Sequence, residues 1–194
     1  MTDVIDTLAG LAPGSPFSKA RDNRPEARKH AQASYDALFV TADFAGVSKQ
    51  ERFAVASFVA GLHGRPETAD HYKARLAEAG ASAALQSAVA AEIATAKGKG
   101  PYGNYPKGPL SIENAPGPSH RAKAGALGKR LASAFEHTHM LVFHPRDAAP
   151  PSLQAMLDAG WSTTDIVVLS QLVSFLSFQI RVVAGLKVLA GAAR

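Results

Sequence analysis

Residues 48–76 read SKQERFAVASFVAGLHGRPETADHYKARL. Apolar side chains recur there every three or four positions among good helix formers, which predicts helices over 48–63 and 66–80. Ser48 followed by Glu51 makes a capping box, in which each side chain satisfies a backbone amide that the first turn leaves free. Gly64 closes the first helix, and Pro66 suits the opening turn of the second, where its missing amide hydrogen costs nothing.

Working outward, the same periodicity predicts helices over 25–40, with Ala31, Tyr35, Leu38 and Phe39 on one face, and over 82–96. From 97 to 119 the pattern gives way to a run of glycines and prolines that no helix interior or central strand tolerates. Such a long loop inside one domain is functional, interfacial or disordered. Tyr102, Tyr105, Leu110 and Ile112 supply the apolar surface for it to dock. Helices are expected again near 120–143, after a break at 144–151 near 152–159, and from Ser162-Thr163-Thr164-Asp165 to about 190. The last is apolar nearly all round but interrupted by Gln171, Gln179 and Arg181, which argues for a core helix or an oligomer interface rather than a membrane span. The expected class is therefore all-α, a single domain over 1–194. Two halves, about 1–96 and 120–194, flank the 97–119 loop.

The two capping boxes lie 114 residues apart, and the helices after them align without gaps as Glu51/Asp165, Val59/Val173 and Leu62/Leu176. Internal duplication and chance likeness of two amphipathic helices both account for that register.

Composition removes several functions. The chain has no cysteine, so disulfides, thiolate metal sites and cysteine nucleophiles are all excluded. The N-terminus lacks the basic and apolar regions of a signal peptide, and a cytoplasmic protein is expected. Of the net charge of +5, the window 97–130 carries +6, from Lys97, Lys99, Lys107, Arg121, Lys123, Lys129 and Arg130 against Glu113. That segment reads as a solvated face or as a surface for an anionic small molecule. Without an RNA motif, zinc finger or helix-turn-helix beside it, no nucleic-acid partner is expected.

Residues 48–76, through Ser48, Glu51-Arg52, Val59, Leu62 and His71, resemble the core of the carboxymuconolactone decarboxylase and alkylhydroperoxidase D superfamily. Leu157-Asp158-Ala159-Gly160-Trp161-Ser162, Asp165-Ile166 and the Phe178/Arg181 spacing resemble its closing helix. The resemblance implies an alkylhydroperoxidase D-like helical fold, usually oligomeric and often built of two related halves. The peroxidase branch of that superfamily uses a Glu, two Cys and a His, and those positions fall here on Phe53, Arg65, Thr68 and Tyr72. All four differ. The resemblance therefore implies the fold and speaks against thiol peroxidase activity.

Two readings of the altered centre stay open. In the first, Arg65 and Thr68 at a helix start, joined by Arg181, bind a small carboxylate or phosphate, and the protein acts as a binding protein or as the non-catalytic partner of a related enzyme. The second is a lyase or isomerase, in which His71, helped by Glu67 four residues before it or by Tyr72, moves a proton. Arg181, set among apolar residues, is expected to be buried and anchored. His137, His139 and His144, with Glu136 and Asp147, form the densest histidine group; no two of these histidines are four apart, so neither a metal nor another cofactor is expected.

Overall fold

In a computed structural model that describes residues 3–192, the helices are α1 (Val4–Ala9), α2 (Pro16–Ala20), α3 (Pro25–Tyr35), α4 (Lys49–His63), α5 (Pro66–Glu78), α6 (Ala83–Thr95), α7 (Ala124–Phe143), α8 (Pro150–Asp158) and α9 (Thr163–Ala192). One π-helical stretch, Asp36–Val40, prolongs α3, so the expected 25–40 helix is present with a wider final turn. Among the described residues the only extended pairing is an isolated bridge between Gly103 and Ala115. The class is all-α.

Helix α4 is the axis of the fold. Every residue from Arg52 to Leu62 is buried, with α5, α6, α7 and α9 packed around it. Phe58 stacks on Phe135 of α7 at 4.3 Å between centroids. Arg52 is buried without a carboxylate; its guanidinium donates instead to the carbonyls of Val47, Leu38 and Phe44 at 2.9, 3.0 and 2.9 Å. These include carbonyls that the π-helical turn leaves open, so the arginine closes the end of that element.

Helix α9 runs parallel to α4. The 114-residue register reappears as contact: Ser48 and Glu51 cap α4 reciprocally, Ser162 and Asp165 do the same for α9, and His63 Nε2 lies 3.2 Å from Ser177 Oγ at the far end. Arg130 of α7 joins the two starts. It donates to the carbonyls of Gly46 and Gly160, themselves 114 apart, at 2.5 Å each. Its Nε reaches Glu51 at 2.8 Å, and Asp165 stands 3.8 Å from its other side. The guanidinium also lies over the Trp161 ring at 3.6 Å.

The apolar circumference of α9 is only half covered. Ile166, Leu169, Leu172, Val173, Leu176 and Ile180 face the core, whereas Val167 is 54% exposed and Phe178 46%. The helix is long and apolar enough to cross a membrane by length and composition, with a mean hydropathy of 1.8 over its best window. Near its end, Val183 and Leu186 meet Val4, Ile5 and Ala9 of α1. That N-terminal packing has no counterpart in the sequence expectations. Beside it Asp6 accepts from Ser18, Arg21 and Arg28, which ties α1 to α2 and α3.

Two boundaries and part of the loop docking differ from expectation. Helix α8 begins at Pro150 because two consecutive prolines fit an opening turn, not only a break. The helical run of α7 starts at Ala124 rather than 120 and is interrupted at Gly128, whose φ of 73° is left-handed. The 97–119 loop docks through Tyr102, whose N–H donates to the Phe143 carbonyl and whose ring lies so close to Gly117 that a Cβ there would stand 2.2 Å from it. Leu110 and Ile112, expected to dock as well, remain exposed, Ile112 by 91%.

Candidate functional site

The residues singled out around the start of α5 divide into three places. Tyr72 is fully buried and donates from its hydroxyl to Gln179 of α9. Phe39 stacks on Phe53 at 5.0 Å and leans on Tyr72 at 5.6 Å. Positions 53 and 72 are thus filled by core aromatics. Burial holds the Tyr72 hydroxyl well above its ordinary pKa, so it is a structural donor rather than a base.

His71 and Glu67 do not form a pair. Glu67 is exposed and bonded to Lys187 of α9 at 2.5 Å, a contact that lowers its pKa. His71 stands edge-on to Tyr72, and its Nε2 is buried without a partner; burial, then Arg75, depresses its pKa. Thr68 is buried, and its hydroxyl donates to the Arg65 carbonyl at 3.0 Å. It is therefore committed to the first turn of α5 and not offered to a ligand.

Arg65 and Arg181 are brought together. Both line an open groove of about 630 Å³ with His63, over an apolar floor that includes Ile180, Val188 and Leu189. Arg181 is exposed, contrary to expectation, and donates only to the Ser177 carbonyl at 2.9 Å, one turn back on its own helix. Among the described residues neither guanidinium has a carboxylate partner. His63, absent from the sequence candidates, sits between them. Burial and then the charges of Arg181 and Arg65 lower its pKa from 6.5 to about 4. Its signal in the sequence was its place at the last turn of α4, two residues before Arg65.

A second cavity, about 340 Å³, lies where α7, α8 and the end of the long loop meet, and His120, His139 and His144 are in its wall. His120 Nε2 is 2.8 Å from Glu92 Oε2, both side chains being more than nine-tenths buried, and the contact is not aligned as a hydrogen bond. The other oxygen of Glu92 accepts from the Lys123 amide at 3.0 Å, which fixes the carboxylate. His144 places Nδ1 3.1 Å from Asp147 and Nε2 2.9 Å from the Pro118 carbonyl, two acceptors that only a doubly protonated ring satisfies together. Between these two rings lies His139, 5.4 Å from His120 and 5.8 Å from His144 between centroids. Burial, followed by the charge of His120 and of His144, lowers its pKa to about 4.

His139, His144 and Asp147 belonged to the densest histidine group of the sequence; His120 and Glu92 did not, because they lie 19 and 47 residues before His139 in the chain. Its other members line the same cavity: His137 Nε2 lies 2.9 Å from Ser170 Oγ, and Glu136 pairs with Arg121 at 3.0 Å on the rim. Among the described residues no group of three or more acidic, histidine or cysteine side chains is placed to hold a metal ion.

Comparison of the chain with family models, with curated proteins and with solved structures found no match to any of the three.

Proposed function

We propose that the protein is a cysteine-less member of the carboxymuconolactone decarboxylase and alkylhydroperoxidase D superfamily that binds a small organic anion in the groove of Arg65, Arg181 and His63. The observation that carries this reading is the convergence of two guanidinium groups, without carboxylate partners among the described residues, on a groove with an apolar floor. A carboxylate with a short apolar tail matches both surfaces. The parallel helices α4 and α9, each with its own capping box and in contact at the 114-residue register, support an alkylhydroperoxidase D-like fold of two related halves. The absence of any thiol leaves the protein without its own means of reducing a peroxide, which favours binding, alone or beside a catalytic relative. Self-association in the cytoplasm completes the proposal. Leu153 and Leu157 of α8 and Val167 and Phe175 of α9 line a largely apolar groove of about 1020 Å³ that suits a second copy of the chain. Light scattering should then give a mass above that of the monomer at micromolar concentration.

Hexanoate is a suitable probe for calorimetry. Charge-assisted hydrogen bonds contribute roughly 1.5–3 kcal/mol each, so Arg65→Ala and Arg181→Ala should each weaken binding by about 10- to 150-fold. Circular dichroism should stay unchanged, since both side chains are exposed. Hexanoate affinity that both variants retain would remove the anion site, and hydroperoxide turnover by the purified, cofactor-free protein would remove the binding-only reading.

A further inference from the structure

The histidine pocket is separate from the anion groove, and the packing of the fold does not require its chemistry. Burying imidazoles and carboxylates is costly unless each is paired, and apolar residues of like size fill such a space at lower cost. Here a carboxylate fixed by a backbone amide holds one imidazole, a second carboxylate and a carbonyl hold another, and the ring of His139 lies within 5.4 and 5.8 Å of them. Two histidine–carboxylate pairs flank one unprotonated histidine on the wall of a single cavity. Such a set combines a proton acceptor and a proton donor within one substrate's length.

We propose that this pocket is a proton-transfer site that interconverts the keto and enol forms of a small 2-oxo acid, with His139 as the base and His120 as the acid. A ring nitrogen of His139 removes a proton from the carbon beside the carbonyl. The electron pair of that C–H bond becomes the new C=C bond, and the carbonyl π pair moves to oxygen, which takes a ring proton from His120. The product is an isomer of the substrate, so no oxidant, reductant or second substrate enters. Exchange with water restores the proton on His120 and removes the one gained by His139. Glu92, 2.8 Å from His120 Nε2 and fixed by the Lys123 amide, orients that ring for transfer. A cavity of about 340 Å³, with Met140 and Met156 on its apolar side, limits the substrate to a short chain. At the mouth Arg121, 86% exposed and held by Glu136 through one nitrogen of its guanidinium fork, is the cation that a substrate carboxylate would meet.

The test is deuterium exchange at the carbon next to the carbonyl of pyruvate and 2-oxobutyrate, followed by proton NMR in heavy water with the full chain. The expected result is exchange at least about 100-fold above a matched imidazole buffer. His139→Asn and His120→Asn should each reduce it by about 100-fold, the lower end of what a positioned acid or base contributes. Glu92→Gln, which leaves both rings in place, should reduce it less. His30→Asn, at an exposed histidine that lines neither cavity, should leave it unchanged, and hexanoate calorimetry reads the anion groove by itself, so failure here is distinguishable from failure there. The pH profile gives a second readout. Because His139 is buried and stands beside His120 with Glu92, His144 with Asp147, and His137, it stays unprotonated until about pH 4, and exchange should persist at pH 5, where free imidazole is protonated. Exchange no faster than buffer for both acids overturns the proposal, as does full activity in folded His139→Asn or a profile that falls away at pH 6.5.

Discussion

Arg130→Ala is expected to be among the most destabilising single substitutions outside the apolar core. Its guanidinium serves the Gly46 and Gly160 carbonyls, pairs with Glu51, neighbours Asp165 and covers Trp161, so one truncation releases contacts at the starts of both α4 and α9. Removing one partner of a well-buried ion pair costs about 3–5 kcal/mol, and partial exposure of this side chain brings the expected cost to about 2–4 kcal/mol. For a chain of this length each kcal/mol moves the thermal midpoint by roughly 2–4 °C, so the loss should read as about 4–16 °C in calorimetry. Arg130→Lys should recover less than half, because a single ammonium cannot span two carbonyls and a carboxylate with the planar fork they require. Gly46→Ala approaches the same junction from the other side: its Cβ would stand 2.0 Å from Asp165 Oδ1 and push that cap away. A midpoint within 1 °C of the wild type for Arg130→Ala would show that the helix starts are held by their own caps alone.

The helices around this junction were legible because their signals are local. Capping boxes, Gly64, Pro66 and three-to-four periodicity lie within a few residues of what they decide, and α4, α5, α6 and α9 fall within two residues of their expected limits. Arg130 was legible only as part of a basic run, since its partners lie 30 to 84 residues away. The site divides along the same line. Arg65 and Arg181 could be named separately, and their convergence depends on α9 running parallel to α4. Tyr72 and Thr68 carry the right chemistry in sequence but are consumed locally, one by the core and Gln179, the other by the carbonyl three residues back. The Glu67/His71 pair was drawn from helix spacing alone. Lys187, 120 residues on, takes Glu67 instead. Glu92 and His120 gave no short-range signal at all, because the docking of a Gly/Pro-rich loop brings them together.

Acidification from pH 7.5 to 4.5 should cost the fold more than any single exposed charge does, and histidines should account for the loss. His139 and His63 each fall from 6.5 to about 4 in the folded chain. Below about pH 6.5 the unfolded chain takes up these protons while the folded chain refuses them, so the unfolded state binds more protons and stability decreases as pH falls. The loss accumulates between about 6.5 and 4 and then levels off, because below the folded-state value both forms are protonated. At about 1.4 kcal/mol per pK unit, buried His139 accounts for roughly 3 kcal/mol, and half-exposed His63 for about 1–2 kcal/mol after allowance for solvent screening. His71 and His137, also depressed by burial, add to the same window. Asp6 and Asp147, whose pKa values are lowered, act in the opposite range: their contribution is intact above the ordinary carboxylate value and is lost only as pH falls below about 4. Urea unfolding at pH 7.5, 6.0, 5.0 and 4.5 should therefore show a decline that begins near 6.5, before carboxylates titrate. Replacing His139 by glutamine, which cannot be protonated in this range, should flatten most of that decline even if it lowers stability at pH 7.5. A wild-type free energy that holds level down to pH 4.5, or a slope that the glutamine variant keeps in full, would mean that His139 is already charged in the folded protein, and the central ring of the pocket would then have no capacity to accept a proton.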